Sequence, residues 1–287
     1  MATKKMHSRE LGLVLAKQLL GVEDLHYGLW DSDLELKLGN LAAAQQRYNE
    51  MLIAQLPAPG REVRVLDVGC GTGQLLRQML DRGYSADGVI PAKDLGDAVR
   101  RKLADRSGYR SRIFECPFED FPAGECSRHY DVALFSESFQ YISPAVSLPI
   151  LQAILKPGAL LLISDFFQGD APESESLDPG FGGGHLLREF YASMKRTPFV
   201  LVKEEDITRR VSPNMELVND LLVNRIKPAT LSVGRYVGSR YPLLSRLALG
   251  LLRKKLDKLN HKYFSGHRSK EVFERYKTYR LLLYRLP

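Results

Sequence analysis

The chain has little of several features that would narrow its function at once. Three of its 287 residues are cysteines, and the spacing of Cys70, Cys116 and Cys126 fits neither a metal site nor a complete set of disulfides. This usage favours a reducing, cytoplasmic location. No apolar run approaches the ~20 residues that span a bilayer. The charged N-terminus also lacks the small-residue cleavage pattern of a secretory signal.

The signatures of two common nucleotide-binding loops are absent as well. A dinucleotide loop that started at Gly69 would need a small residue at position 74, where the chain has Gln74. A phosphate-cradling Walker loop ends in Gly-Lys-Ser/Thr, and none follows these glycines. Both classes of nucleotide-binding protein are therefore disfavoured.

Positive charge is concentrated in the last third of the chain. The formal net charge is +7, yet residues 203–287 carry 19 Lys and Arg against 8 Asp and Glu, whereas residues 1–202 carry 22 against 26. Such a region faces nucleic acid, an anionic membrane or an acidic carrier protein, or it is a solvated helical surface. No RNA-binding module and no stacking platform of aromatic residues accompanies it, which disfavours nucleic acid.

One stretch, residues 63–73, has the strongest local organisation. An apolar, β-branched run predicts a buried strand, three glycines spaced two apart predict a turn, and the spacing of apolar residues predicts a helix over 74–82. Strand, glycine turn and helix form the first half of a βαβ unit, in which a ligand approaches bare backbone. The letters VLDVGCGTG resemble motif I of the class I S-adenosylmethionine (SAM) methyltransferases. That resemblance implies SAM as cofactor, bound by Asp67, Gly69, Cys70, Gly71 and Gly73.

The same resemblance implies an α/β fold: a Rossmann-like, seven-stranded methyltransferase sheet with N-terminal helices and a helical cap inserted between strands six and seven. Apolar runs predict later strands near 84–90, 111–114, 130–136, 159–166, 199–203 and 276–287. Four segments are expected: an N-terminal helical lid segment (1–56), a SAM-binding core (57–210), a helical cap insertion (211–275) and a final strand returning to the core (276–287).

Helical periodicity predicts further helices over 8–20, 40–56, 186–195, 214–226, 241–259 and 269–275. Asn40 and Asp94 are expected to cap helix N-termini, and Gly83 is expected to end the helix after the glycine turn. Ser147 and Pro149 predict the start of a short helix, because proline is tolerated in a first turn.

Two positions depart from the family pattern. Most class I methyltransferases end the second strand with an acid that binds the ribose, whereas Ile90 occupies that position here. The family often places an aspartate beside adenine after the third strand, and here Pro117 stands in its place. The resemblance therefore leaves backbone contacts for the adenosine end, with the N–H of Phe118 as a donor to the ring. Weak SAM affinity or a non-catalytic site is an open alternative.

Three other segments carry candidate reactive residues. His26-Tyr27-Gly28-Leu29-Trp30 resembles the H-Y-G-x-W element of small-molecule and lipid methyltransferases, the tocopherol, sarcosine and cyclopropane-fatty-acid groups among them, which assigns Tyr27 to the methionine end of SAM. Ser136 and Glu137 follow the fourth strand at the edge where ligands bind in open α/β sheets. Glu137 is a candidate base or cation anchor; it could equally cap the next helix.

A glycine- and proline-rich segment, Gln168–Gly184, predicts a loop or lid near the site, and His185 ends it. A histidine emerging from such a loop is a candidate general base, or else a helix-cap residue.

The sequence thus predicts a SAM-dependent methyltransferase acting on a small-molecule or lipid-like acceptor, with peripheral contact to an anionic membrane or carrier protein. No metal is expected. The alternatives are an RNA or protein methyltransferase that uses the basic C-terminal region, and a non-catalytic partner protein of methyltransferase fold. The N/D-P-P-Y tetrad of amide and base N-methyltransferases is missing after the fourth strand.

Overall fold

The computed structural model describes residues 24, 26–60, 62–104, 111–169, 183–242, 254 and 269–287. The helix predicted over 8–20, most of the helix predicted over 241–259 and most of the loop predicted over 168–184 lie outside these residues.

A seven-stranded sheet organises the chain, with the strand order β3-β2-β1-β4-β5-β7-β6. All neighbouring pairs are parallel except those of β7, which inserts antiparallel between β5 and β6. This is the predicted α/β sheet of the class I methyltransferases. The strands are β1 (Arg64–Val68), β2 (Ser85–Val89), β3 (Ile113–Phe114), β4 (Tyr130–Ser136), β5 (Leu155–Gln168), β6 (Val200–Asp206) and β7 (Lys277–Arg285).

Both faces of the sheet are buried, which explains why its central strands are apolar throughout. Successive side chains point to opposite faces, so that Val65 and Leu66 belong to different apolar clusters, as do Leu134 and Ala133. The helices that cover the faces are α1 (Leu41–Ile53), α2 (Gln74–Asp81), α3 (Lys93–Leu103), α4 (Pro144–Ile154), α5 (Leu187–Met194), α6 (Thr208–Val211), α7 (Pro213–Asn219) and α9 (Lys270–Tyr276). A π-helical stretch, Asp220–Ile226, leads from α7 into α8 (Lys227–Arg240).

Several local predictions need correction. Asn40 does not cap α1; its side-chain amide donates to the carbonyl of Glu35 instead. Asp94 lies in the first turn of α3 rather than at its N-cap. Helix α4 begins at Pro144, earlier than the predicted start. Gly83, in contrast, has the positive φ expected of a helix-ending glycine, +94°.

Candidate active site

The turn after β1 presents backbone rather than side chains at the edge of the sheet. Gly69 and Gly71 have φ values of +81° and +53°, which residues with a β-carbon rarely adopt. A β-carbon on Gly69 would lie 2.4 Å from Cβ of Ser138, whereas one on Gly71 would meet only the Gly69 carbonyl oxygen, at 3.9 Å. The turn is therefore packed against the loop after β4 on one side and open on the other, just before α2.

Two buried carboxylates on neighbouring strands have opposite surroundings. Asp87 of β2 accepts hydrogen bonds from the Tyr130 hydroxyl (2.9 Å) and the Arg112 backbone N–H (2.8 Å), and the Arg64 guanidinium lies 3.6 Å away. Asp67 of β1 is 1% exposed, and among the described residues nothing donates to its Oδ2. Burial raises the pKa of Asp67 to about 7. Asp87 thus holds the fold together, whereas Asp67 retains an acceptor for a ligand.

Glu137, directly after β4, is the most constrained residue at this edge. Its φ of +54° is unusual for a residue with a β-carbon, and such strain persists only where the surroundings impose it. Its Oε1 accepts two hydrogen bonds of 2.9 Å, from the backbone N–H of Tyr27 and from the hydroxyl of Tyr279. In the described part of the chain no group donates to Oε2. One carboxylate oxygen is therefore fixed and the other is left for a ligand.

The electrostatics around Glu137 involve a histidine that the sequence analysis did not single out. Burial raises the pKa of Glu137 above its ordinary value, against the opposing effects of His26 and of its two hydrogen bonds. The His26 ring stacks on Tyr48 at 4.7 Å, and its Nε2 lies 3.4 Å from Oδ2 of Asp24. Burial lowers the pKa of His26, but the bond and charge of Asp24, with the charge of Glu137, raise it overall. The imidazole is thus biased toward its cationic form beside buried carboxylates.

A chain of hydroxyl groups supports Glu137 from within the sheet. The Tyr279 and Tyr48 hydroxyls lie 2.8 Å apart, and the Tyr48 hydroxyl donates to Oγ of Ser164 at 2.8 Å. Ser136 joins the same network through a 3.5 Å hydrogen bond from its Oγ to the Tyr48 hydroxyl. Both tyrosine side chains are fully buried. The network fixes the Tyr279 hydroxyl, and through it the position of the Glu137 carboxylate.

The segment that contains Tyr27 is pinned to the body of the protein. Gly28 exchanges two hydrogen bonds with the side chain of Asn214 in α7 (2.9 and 2.7 Å), and a β-carbon on Gly28 would lie 2.5 Å from Cβ of Ala44. Glycine is therefore required there, because α1 approaches the backbone closely. The Tyr27 ring makes edge contacts of 6.4 Å with Phe273 and with Tyr279.

His185 lies on the neighbouring loop, but its Nε2 faces protein groups. This nitrogen is 3.0 Å from the carbonyl oxygen of Phe139 and 2.9 Å from that of Ile142. A nitrogen in this position is a protonated donor, so that the imidazole ties the start of α5 to the loop after β4. The catalytic role of His185 stays a prediction, and it would need the other ring nitrogen.

The far side of the glycine turn is apolar. Ile90, which follows β2, is 4% exposed and belongs to the same apolar cluster as Val99 and Leu75. The Phe118 side chain is 2% exposed and lies edge-on to Phe135, with ring centroids 5.5 Å apart. Ile90, at the position where the family pattern has a ribose-binding acid, therefore contributes to the core here. Pro117 is exposed and precedes the short helical turn Phe118–Asp120.

The structure brings most of the predicted residues to one edge of the sheet. The glycine turn, Asp67, Ser136, Glu137 and Tyr27 meet there, as the rule for ligand sites at the carboxyl ends of parallel strands predicts. Three contributors at this edge were not predicted from the sequence: His26, Tyr48 and Tyr279. His26 had a signal, since it adjoins Tyr27 in the predicted lid. Tyr279 could be found only from the pairing of β7 with β5, and Tyr48 only from the packing of α1 against these strands.

Comparisons with known proteins agree with this geometry. The family model described as a methyltransferase domain matches residues 41–197, more than half of the chain. An uncharacterized methyltransferase of Mycobacterium tuberculosis is 28% identical over 134 residues, which are 45% of this chain and 51% of the relative. The chain thus spans about half the length of the curated relatives that it matches most significantly.

Two solved structures show the same fold over nearly the whole chain. Geranyl diphosphate C-methyltransferase from Streptomyces coelicolor A3(2) superposes with a TM-score of 0.67 at 16% identity, covering 96% of this chain and 92% of that one. The cyclopropane synthase MmaA2 from Mycobacterium tuberculosis gives a TM-score of 0.66 at 15% identity, covering 91% and 90%. Motif I lies at the edge of a sheet with this strand order, and the methyltransferase family model matches more than half of the chain. The chain therefore belongs to the class I SAM-dependent methyltransferase family.

Proposed function

We propose that this protein transfers a methyl group from SAM to a small-molecule or lipid-like acceptor. The observation that carries the proposal is Glu137, a half-buried carboxylate at the ligand edge of the sheet. Its backbone is strained, one oxygen is fixed by two donors, and the other is left for a ligand. A group held in this way is poised to act on a bound substrate rather than to stabilise the fold.

The residues around the glycine turn fit the cofactor. Oδ2 of Asp67 has no donor among the described residues, so it can accept a hydrogen bond from a polar group of SAM. The face at Gly71 is open to a ligand, and Gly69, Cys70 and Gly73 complete the turn. We assign Ile90, Pro117 and Phe118 to the adenosine end, through backbone contacts, since the side chains of Ile90 and Phe118 are packed in the core. When bound, SAM supplies a methyl group activated on a sulfonium.

The chain's own residues would orient the acceptor, exclude water and accept a proton. Positioning supplies much of the rate in reactions of this kind. We propose that Glu137 takes the proton from the nucleophilic atom, since burial raises its pKa toward the range useful for a general base. Tyr27 contributes in two ways, because its backbone N–H fixes Glu137 and its ring lines the site. Ser136 supports this arrangement through Tyr48.

A second candidate function is a non-catalytic protein of the same fold. The apolar residues at Ile90 and Pro117 favour it, because they remove the side-chain acids that hold adenosine in most relatives. Calorimetry with SAM and with S-adenosylhomocysteine separates the two functions. Binding of both ligands is expected of the methyltransferase, and no heat at millimolar ligand would contradict it.

The direct test is incubation with methyl-labelled SAM and a cell extract divided into lipid, small-molecule, RNA and protein pools. We expect label in the lipid or small-molecule pool with the wild-type protein. Glu137→Gln should lose that label while still binding S-adenosylhomocysteine, and the exposed-site control Glu125→Gln should keep it. Label confined to RNA or protein would refute the proposed acceptor class.

A peripheral membrane contact is proposed for helix α8. This helix has no buried residue, exposes Leu231, Val233 and Tyr236, and has basic but no acidic residues along its length. Such a surface suits an anionic bilayer. Sedimentation with vesicles containing phosphatidylserine, but not with phosphatidylcholine alone, would support it; no sedimentation with either would contradict it.

No helix in the described residues meets the length and hydropathy of a membrane span. The three free cysteines suit the proposed cytoplasmic location.

A further inference from the structure

Lys277 is the single buried cation in the part of the chain that the structure describes. Its residue is 3% exposed, and the buried carboxyl groups there are those of Asp67, Asp87 and Asp165. Lys277 begins β7 and pairs with Gln168, the last residue of β5. Because β7 runs antiparallel, its first residue lies at the same edge of the sheet as the glycine turn and Glu137.

Within the described ranges, the ammonium group of Lys277 has no countercharge. Its Nζ donates one hydrogen bond, to the carbonyl oxygen of Gly183 at 2.5 Å, and lies 5.4 Å from the centre of the Phe166 ring. No carboxylate among the described residues is within ion-pair distance. A lysine ammonium has three N–H donors, so two are left for another partner. Burial lowers the pKa of Lys277 to about 8, which leaves the group mostly protonated at neutral pH.

A row of aromatic rings connects Lys277 to Glu137. The Phe166 ring contacts Phe273 at 6.2 Å, and Phe273 contacts Tyr27 at 6.4 Å. The backbone N–H of Tyr27 in turn donates to Glu137. Phe166 and Tyr27 are half-buried, whereas Phe273 between them is buried, so the accessible ring surface belongs to Phe166 and Tyr27. The edge of the sheet therefore has a cation at one end, apolar rings in the middle and a carboxylate at the other end.

We propose that Lys277 binds an anionic group of the methyl acceptor, either a carboxylate or a phosphate. This inference rests on the proposed function. A buried charge without a partner is unfavourable, and an anionic ligand would relieve that cost through a charge-assisted hydrogen bond. The aromatic row would hold an apolar body, and Glu137 would meet the nucleophilic atom. The acceptor is thus a compound whose anionic group and nucleophile are separated by an apolar or aromatic portion.

The test uses the full-length protein, methyl-labelled SAM and a small-molecule extract separated on an anion-exchange resin. We expect label in compounds that the resin retains. Lys277→Gln keeps a hydrogen-bond donor for Gly183 but removes the charge, and it should lower this labelling about 10- to 100-fold at limiting extract. The control Lys195→Gln, at an exposed lysine after α5, should match the wild type. Phosphatase treatment of the retained fraction distinguishes a phosphate, whose label leaves the retained fraction, from a carboxylate.

Steady-state kinetics on the labelled compound, purified from the retained fraction, gives the second readout. Lys277→Gln should raise KM about 10-fold or more with kcat within about threefold, because the charge acts on binding rather than on the reacting atom. Lys277→Arg, which keeps the charge, should recover most of the loss. Calorimetry with S-adenosylhomocysteine checks that the variants are folded, and if Lys277→Gln does not bind it, Lys277→Met takes its place.

The outcomes separate this proposal from the function on which it rests. Label found only in compounds that pass through the resin would overturn the anionic acceptor and leave the methyltransferase function standing. Equal labelling of retained compounds by Lys277→Gln and Lys195→Gln would overturn the role of Lys277. Absence of label from every pool would overturn the proposed function, and this inference with it.

Discussion

The two sides of the glycine turn differ in kind. Toward β4 and β5, Asp67 is buried and Glu137 and His26 are half-buried. Each of these ionisable groups keeps an atom that has no hydrogen-bond partner among the described residues. Toward β2 and β3, Ile90 and Phe118 are packed as ordinary core residues. We call the first the polar side, because its ionisable side chains have atoms left for hydrogen bonds to a ligand. We call the second the apolar side, because the side chains of Ile90 and Phe118 can form no hydrogen bonds. The proposed reactive groups therefore lie on the polar side of the site, whereas the residues of the apolar side stabilise the fold.

This difference has a thermodynamic consequence. Burial raises the pKa of both Asp67 and Glu137, so their ionised forms lower the stability of the folded protein at neutral pH. Unpaired buried groups of this kind are retained where activity requires them. Substitutions on the polar side should cost activity more than stability, and substitutions on the apolar side should do the reverse.

The largest effect is expected for Glu137→Gln. The amide cannot accept a proton, so kcat should fall about 10²- to 10³-fold, the range typical of a lost general base. The affinity for S-adenosylhomocysteine should change less than about threefold, because the amide oxygen can still accept from Tyr27 and Tyr279. Label transfer and calorimetry measure the two effects. A rate within tenfold of the wild type would remove Glu137 from the chemistry.

The same residue predicts a pH dependence. A base must be unprotonated to act, so kcat should fall as the pH drops through the raised pKa of Glu137. The acidic limb should thus lie above the ordinary glutamate value of 4.5. A limb at or below that value would contradict the assignment.

Asp67→Asn should have the next largest effect, with opposite signs for binding and stability. Loss of a charge-assisted acceptor should raise the Kd for SAM about 10- to 100-fold. The pKa of about 7 in the folded protein exceeds the ordinary aspartate value of 3.8. The stability linked to protonated Asp67 is therefore full below pH ~4 and is lost as the pH rises through 7. At pH 8 the ionised group costs roughly 4 kcal/mol, which the asparagine avoids.

Denaturant unfolding of the ligand-free protein at pH 8 and pH 4 measures this stability difference. Asp67→Asn should be more stable than the wild type at pH 8, with little difference at pH 4. Asp87→Asn is the matched control, and it should destabilise the protein at pH 8 because Asp87 has donors and a guanidinium around it. Equal responses of the two variants would remove the distinction between a structural and a ligand-binding aspartate.

Tyr279→Phe should have an intermediate effect. It removes one of the two donors to Oε1 of Glu137, and kcat should fall about 5- to 10-fold, as expected for the loss of one hydrogen bond that positions the carboxylate. The lost bond had lowered the pKa of Glu137, so the acidic limb of the rate profile should move to higher pH. A smaller kcat with an unmoved limb would indicate a structural role for this hydroxyl.

Ile90→Ala should affect function least. Truncation of this buried side chain should lower the free energy of unfolding by about 2–4 kcal/mol, while the affinity for S-adenosylhomocysteine changes less than about threefold. Thermal or denaturant unfolding and calorimetry provide both values. A large loss of affinity without a loss of stability would place Ile90 on the ligand-binding side and break the comparison.

Local patterns predicted the part of the fold around the turn well. The strand over 130–136 was predicted to the residue, and β1, the glycine turn and α2 follow from alternation and glycine spacing alone. The boundary of β5 was harder. It begins at Leu155 rather than Ala159, because Lys156–Gly158 form an irregularity within the strand and Gly158 takes a φ of +82°.

Prediction of the site succeeded where a residue follows a strand and failed where distant segments meet. Asp67 and Glu137 could be placed because parallel strands end at a common edge. Tyr279 and Lys277 could not, since their positions depend on the register in which β7 pairs with Phe166 and Gln168. Tyr48 could not be placed either. It lies on the apolar face of α1, where helical spacing predicts a core residue and not a contact with Tyr279.

The antiparallel insertion of β7 has a consequence for biosynthesis. Of the described strands β7 is the last to be made, yet it fills the gap between β5 and β6. It supplies Tyr279, which donates to Glu137, and Lys277, to which we assign the anionic group of the acceptor. During translation the glycine turn and its neighbouring strands leave the ribosome long before β7 does. In a nascent chain the site therefore lacks the residues of β7. On the proposed function, activity begins only after β7 has inserted between β5 and β6.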